Sequence, residues 1–181
     1  MLGEHFDSYL LTRRVAVPCS TKPETVTEII QLDPSIWSVY LSGEIHTPWR
    51  NAIADGIERA GLPVRLTAPV TDHSASDDCG VNILGTESGS FWKDRKGAGV
   101  NTIRTRTLIR RADVVVVRFG PKYRQWNAAF DAGFAAALGK PLVTLHDAEL
   151  DHALKEIDAA ACATARDPDQ VVEILHSVVV P

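Results

Sequence analysis

The sequence predicts an α/β protein: a five-stranded, parallel, doubly wound sheet with helices on both faces. Three observations carry this. From Trp37 onward, short β-rich runs alternate with helical periods. The run Asp113-Val-Val-Val-Val-Arg-Phe-Gly120 is continuously apolar through its middle, the mark of a strand covered by helices on both sides. An alanine-rich helix then leaves through Gly139-Lys-Pro141 into another apolar strand. Right-handed crossovers favour the flavodoxin-like strand order 2-1-3-4-5.

Each element has its own signal. Trp37-Ser-Val-Tyr-Leu-Ser-Gly43 is β-rich and ends in glycine, a first strand. Pro48 suits a helix start, and Trp49, Ile53, Ile57 and Ala60 repeat at helical spacing up to Gly61. Pro63–Pro69 is the second strand. The polar stretch from Thr71 to Gly97 is rich in Asp, Ser and Gly; one so long reads as a lid or binding loop, with room for a short helix. A basic helix follows over Val100–Arg111, then the strand Asp113–Gly120. The helix from Trp126 ends at Gly139, and Pro141–His146 is the fourth strand. A polar helix near Leu150–Ile157, a weak strand near Ala161–Thr164 and a helix near Asp169–Ser177 complete the chain.

The 181 residues, 45% hydrophobic and 23% charged, suit one domain over 37–181 with an N-terminal extension over 1–36. The extension has no clean period and its role is open. A net charge of −4 argues against a nucleic-acid duplex as partner. Cys19, Cys79 and Cys162 are odd in number and form no C-x-x-C pair, which fits reduced thiols. There is no apolar run of membrane-spanning length and no signal-peptide core near Glu4 and Asp7. The expectation is a soluble cytoplasmic protein. The six histidines show no metal spacing, so neither a metal nor a cofactor is expected.

In an open parallel sheet, ligands bind beyond the carboxyl ends of the strands where the order reverses. That crevice collects Ser42, Gly43, Glu44 and His46 from one side and Arg118, Phe119 and Gly120 from the other. Asn127 and Asp131, four apart on the next helix, share one face toward it. Asp131 is a lone acid among Trp126, Ala129, Phe130, Gly133 and Phe134: either a solvated helix residue or a placed functional group. Its early helical position lets the macrodipole favour the charged form. Gly43 lets backbone approach a ligand closely, though an ordinary strand-ending turn reads the same way. His46 suits a turn hydrogen bond as well as a ligand contact. Phe91 and Trp92 could stack on a base or pin the long loop, and Tyr123 and Trp126 carry the same ambiguity. Arg106 and Arg110 read as a solvated helix face.

Together these segments resemble the nucleoside 2-deoxyribosyltransferase superfamily, and within it the YtoQ family. The likeness runs from about Ser38 to the C-terminus. It rests on Tyr40-Leu-Ser-Gly-Glu-Ile-His46 with Trp49-Arg50, on Ile109-Arg-Arg-Ala-Asp-Val-Val-Val116, on Tyr123-Arg-Gln-Trp-Asn127 and on Asp131-Ala-Gly-Phe-Ala-Ala-Ala-Leu-Gly-Lys-Pro141. The resemblance implies a carboxylate nucleophile at Asp131 that attacks the anomeric carbon of a sugar and expels the base, leaving a glycosyl-enzyme for water or a second base. It implies that a neighbouring tyrosine and strand-end residues orient the sugar and the nucleophile, and by position these are Tyr40 and Gly43. Two departures stand out. The transferases carry glutamate where this chain has Asp131, which draws the carboxylate back by about 1.5 Å. Their Asp-x-Gly-Thr segment reads Gln125-Trp-Asn-Ala128 here.

The leading expectation is therefore cleavage or transfer of an N-glycosidic bond on a small-molecule nucleoside or nucleotide. Asp131 and Tyr40 are its catalytic residues, and Gly43, Glu44, His46, Trp92, Phe119, Gly120 and Asn127 bind substrate. The alternative is a non-catalytic nucleotide or nucleotide-sugar sensor with the same pocket. A phosphoribohydrolase of the cytokinin-activating type lacks its Pro-Gly-Gly-x-Gly-Thr-x-x-Glu segment here, and no G-x-G-x-x-G follows the first strand to suggest a dehydrogenase. The resemblance also implies a homo-oligomer.

Overall fold

The computed structural model describes residues 11–13, 28–30, 35–122 and 125–180. The chain divides between Ile36 and Trp37 into two units. In the first, β1 (Leu11–Arg13) pairs antiparallel with β2 (Glu28–Ile30), Leu11 opposite Ile30. Three-residue strands are too short to display a period, which is why the sequence shows no element there.

The second unit is built on β3 (Trp37–Gly43), β4 (Val64–Thr67), β5 (Val114–Phe119), β6 (Leu142–His146) and β7 (Ala163–Ala165). All pairings are parallel and the order is β4-β3-β5-β6-β7, the expected 2-1-3-4-5. Alternation along each strand sends side chains to two apolar layers. Val39, Leu41, Val114, Val116, Val143 and Leu145 pack under α1 (Trp49–Arg59) and α7 (Pro168–Val179). Tyr40, Val115, Val117, Phe119 and Leu142 pack under α5 (Trp126–Ala137) and α6 (Asp151–Ala160), joined by Ile109. The continuous burial of β5 and β6 follows from this double cover.

The stretch expected to be mainly loop is mainly helix. It holds α2 (His73–Asp77), α3 (Cys79–Leu84) and the first half of α4, which runs from Ser90 to Arg111. Over its 22 residues α4 buries only Gly97 and Ile109, so no apolar stripe announces it. Polar contacts fix the hairpin instead. Lys96 Nζ donates to the carbonyls of Leu84 and Gly85, at 3.0 and 2.8 Å, and pairs with Glu87 at 2.6 Å. Asn101 Nδ2 donates to the Ser76 carbonyl at 2.9 Å.

A second polar knot ties α6 to the sheet. His146 is fully buried at the end of β6, its Nε2 3.0 Å from Asp158 Oδ2. Thr144 Oγ1 donates to the other oxygen of that carboxylate at 2.8 Å. Asp167 caps α7 by accepting from the Gln170 amide at 2.9 Å, with Pro168 at the first helical position.

The β3–β5 pair sets the site. Asp113 accepts from the Ser38 amide at 2.8 Å while its own amide donates to the Ser38 carbonyl at 2.7 Å, which fixes register at the strand starts. At the other end Gly43 faces Arg118 with φ of +103°, and a Cβ there would stand 2.1 Å from the Arg118 carbonyl oxygen. Gly43→Ala meets both a left-handed backbone and a steric wall, and is expected to destabilise by at least about 2 kcal/mol. Urea unfolding checks this, and a midpoint equal to that of the parent would contradict it.

Candidate active site

At the carboxyl edge of β3 and β5 the chain surrounds a cavity of about 720 Å³, within the range of small-molecule sites. Ser42, Gly43, Glu44 and His46 come from the end of β3 and the loop beyond it. Asn127, Phe130 and Asp131 come from α5, and Lys122 and Gln125 from the segment before it. The opposite wall is α4, through Asp94, Asn101, Arg104 and Thr105 among others, with Ser76 and Asp77 from α2.

The loop after β3 is held by its own side chains. Arg50 donates to the carbonyls of Leu41, Gly43 and Glu44, at 3.2, 3.0 and 2.7 Å, and lies over the Trp49 ring. Trp49 Nε1 adds a second bond to the Glu44 carbonyl at 2.8 Å. The Glu44 carboxylate turns back on the loop, accepting from the His46 amide and from Thr47 Oγ1. Glu44 is 4% exposed, so its acid is engaged in loop structure even though the residue lines the cavity. On the facing side, Gln125 folds its amide onto the backbone, accepting from Gly120 N at 3.1 Å and donating to the Lys122 carbonyl at 2.9 Å. Gly120 has no room for a side chain, since a Cβ would stand 2.4 Å from Glu44 Cγ.

Asp131 is 9% exposed in a helix of alanines and aromatics. Ser42 Oγ donates to its Oδ2 at 2.5 Å. Burial pushes the carboxyl above the ordinary aspartate value, and the Ser42 hydrogen bond works against that rise. The expected help from the helix dipole does not decide the matter. Asp131 is the sixth residue of α5, beyond the first turn where the dipole acts. Beneath this pair, on the same face of β3, Tyr40 is fully buried and its hydroxyl completes no hydrogen bond. Its pKa is pushed up to about 12, first by burial and further by the Asp131 charge, while the nearby Thr105 and Ser42 hydroxyls and the Arg50 charge favour the phenolate.

The cavity thus gathers Gly43, Glu44, His46, Asn127 and Asp131. Tyr40 lies below its floor. Phe119 is 4% exposed and belongs to the apolar layer under α5, because the alternation of β5 turns it into the core. Gly120 lies behind the cavity wall, against Glu44. Trp92 is 57% exposed on α4, edge-on to Phe91 at 5.2 Å, and is not among the cavity residues. Tyr123 lies outside the described residues. Arg106 is not simply solvated: it lies over Phe130 and Phe134, at 5.8 and 5.5 Å. The α4 wall escaped the sequence reading. Its signal is the 3–4 spacing of Asp94, Gly97, Asn101, Arg104 and Thr105, visible only once residues 90–111 are read as one helix. Among the described residues, no three His, Cys, Asp or Glu side chains gather to hold a metal ion. No helix among them is long and apolar enough to cross a membrane.

A family model described as nucleoside 2-deoxyribosyltransferase YtoQ matches residues 40–179. The chain belongs to this family. A Bacillus subtilis (strain 168) relative, the uncharacterized protein YtoQ, is 39% identical over 137 residues, which span 76% of this chain and 93% of the relative. Among solved structures, a conserved protein from Enterococcus faecalis V583 is similar with a TM-score of 0.54 at 13% identity, over 79% of this chain and 99% of its own. That likeness shows a shared fold. The 2-deoxyribosyltransferase of Bacillus psychrosaccharolyticus is similar at 15% identity with a TM-score of 0.48, over 78% of this chain and 95% of its own. The YtoQ-family match covers both walls of the cavity, from β3 through α5.

The raised pKa of Asp131 has a consequence for stability. Between the ordinary aspartate value and the raised one, the folded state binds more protons than the unfolded state, so stability falls as pH rises through that window. Asp131→Asn removes the buried charge and keeps an oxygen for Ser42. Its melting temperature is expected to exceed the parent's by a few degrees at neutral pH, with the gap closing as pH falls below the carboxylate range. Thermal unfolding at several pH values checks this; a variant no more stable than the parent at neutral pH would contradict it.

Proposed function

We propose that this YtoQ-family protein cleaves or transfers the N-glycosidic bond of a nucleoside or nucleotide, with Asp131 as the nucleophile. The observation that carries this reading is a buried, lone carboxylate on α5 that lines a small-molecule cavity at the sheet's reversal point. Family membership supports the reaction class, and the cavity volume leaves room for a base and its sugar.

The chemistry balances in two steps. One Asp131 oxygen bonds to the anomeric carbon as the bond from that carbon to the base nitrogen breaks. The electron pair leaves on the base, which takes a proton from water. Water or a second base then attacks the same carbon, giving its proton to the hydroxide left by the first step, and the carbon–oxygen bond returns its pair to the Asp131 carboxylate. The raised pKa makes the carboxylate the more basic nucleophile, while it still has to be ionised to attack. Tyr40, with its pKa near 12, stays a neutral phenol throughout. Asn127 reaches the cavity one turn earlier on α5 and offers an amide to sugar or base. Trp126 and Phe130, 70% and 54% exposed, stand at the cavity's rim. Apolar rings in that position favour cover by a second subunit, in keeping with the expected homo-oligomer.

Incubation with a panel of nucleosides, deoxynucleosides and nucleotides, followed by chromatography for released or exchanged base, tests the reading. The parent is expected to release base, and Asp131→Ala to lose at least about a thousandfold of that rate. Parental rates in Asp131→Ala would refute the nucleophile. Silence from both, with a nucleotide still raising the melting temperature, would favour a sensor.

A further inference from the structure

The carboxylate of Asp131 has two oxygens, and the structure treats them differently. Oδ2 receives the Ser42 hydroxyl at 2.5 Å, a short charge-assisted bond. Among the described residues, Ser42 is the hydrogen-bond partner found for this carboxylate. Ser42 is 1% exposed and paired in register with Val117 inside the sheet, so the strand itself fixes where its oxygen lies. Tyr40 stands two residues earlier on the same face, a full pleat repeat of roughly 6.6 Å along the strand. Its hydroxyl is buried beside the site, near those of Ser42 and Thr105, and completes no hydrogen bond of full geometry. The short aspartate arm therefore meets the serine near the sheet's edge and not the phenol below it. Beyond Ser42 comes Gly43, which lines the cavity without a side chain to block approach.

We propose that Ser42 is the positioning residue of the reaction: its hydroxyl holds Oδ2 of Asp131 and commits Oδ1 to attack, taking over the orienting part that the resemblance assigns to Tyr40. This rests on the reading of Asp131 as nucleophile. In the first step Oδ1 bonds to the anomeric carbon, the bond to the base nitrogen breaks, and the base carries off the pair and is protonated by water. Ser42 keeps its proton and donates to Oδ2, now the carbonyl oxygen of the glycosyl ester. In the second step the incoming water or base bonds to the anomeric carbon, gives its proton to the hydroxide left by the first step, and the pair returns to Oδ1. The same hydrogen bond stabilises the departing carboxylate. A fixed donor that serves both steps suits a carboxylate one methylene short, whose placement tolerates little error.

The test compares the parent with Ser42→Ala, Tyr40→Phe and Asp131→Asn. In Ser42→Ala, kcat is expected to fall roughly ten- to a hundredfold with KM within about twofold. Loss of a donor to the charged form raises the carboxyl pKa, so the acid limb of kcat/KM moves to higher pH, and further than in Tyr40→Phe. The titration of the Asp131 carboxyl carbon, followed by NMR on aspartate-labelled protein and assigned by its absence from Asp131→Asn, should move in the same direction without any substrate. An unmoved titration in Ser42→Ala, or a larger shift in Tyr40→Phe, would overturn the proposal. If Asp131→Asn keeps parental activity, the nucleophile reading falls and takes the proposal with it. If Asp131→Asn is inactive while Ser42→Ala keeps the parental kcat and acid limb, only the positioning role falls.

Discussion

The carboxyl ends of β3 and β5 run so close together that position 43 admits no side chain, and the geometry of the cavity follows from that approach. With the Arg118 carbonyl 2.1 Å from where a Cβ would stand, Gly43 must take a left-handed turn and the chain leaves the sheet abruptly. Arg50 and Trp49 then collect the carbonyls that the turn strands, which holds the loop without a regular element. Because the turn begins at residue 43, Ser42 is still locked in the ladder and points across to α5. The part of the cavity wall that is sheet is therefore the end of β3, Ser42 and Gly43.

Against that wall the protein sets a costly group. A carboxylate among alanines and phenylalanines is desolvated, and its pKa rises because one hydrogen bond does not replace the water it has lost. A residue selected for stability alone would be neutral here. Tyr40 adds a second cost, since its buried hydroxyl meets no partner at full hydrogen-bond geometry although the Thr105 and Ser42 hydroxyls lie near it. Two such costs lie within one pleat of each other, at the cavity on which the proposed chemistry rests. By contrast, the Glu44 carboxylate accepts from its own loop, and Asp158 joins His146 and Thr144 in the polar knot that fastens α6 to the sheet.

Much of this was legible in the sequence. The continuous valines of β5, the Gly-Lys-Pro exit and the alternation of elements gave the sheet, its order and its double cover, since each reflects backbone geometry or burial acting locally. Asp131 stood out because charge among small residues is rare. What stayed hidden depends on contacts between distant segments. The helix α4 is held by Lys96 and Asn101 reaching back to residues 76–87, and its glycines at 97 and 99 read as loop. The direction of Phe119 rests on the pleat register of β5, which turns it into the apolar layer, and Trp92 falls on the exposed face of a helix that its polar stretch does not announce. The partnership of Ser42 with Asp131 spans 89 residues, beyond any local pattern.

The central claim is a covalent one: that the anomeric carbon of a nucleoside becomes bonded to Asp131. A nucleoside fluorinated at the sugar's 2′ carbon slows both steps by destabilising the oxocarbenium-like transition states, and the second step can then be outrun. Intact-mass measurement after incubation, followed by peptide mapping, is expected to show one glycosyl adduct per chain on the peptide containing Asp131, absent from Asp131→Asn. Base release without any adduct, or an adduct on a different side chain, would contradict the account.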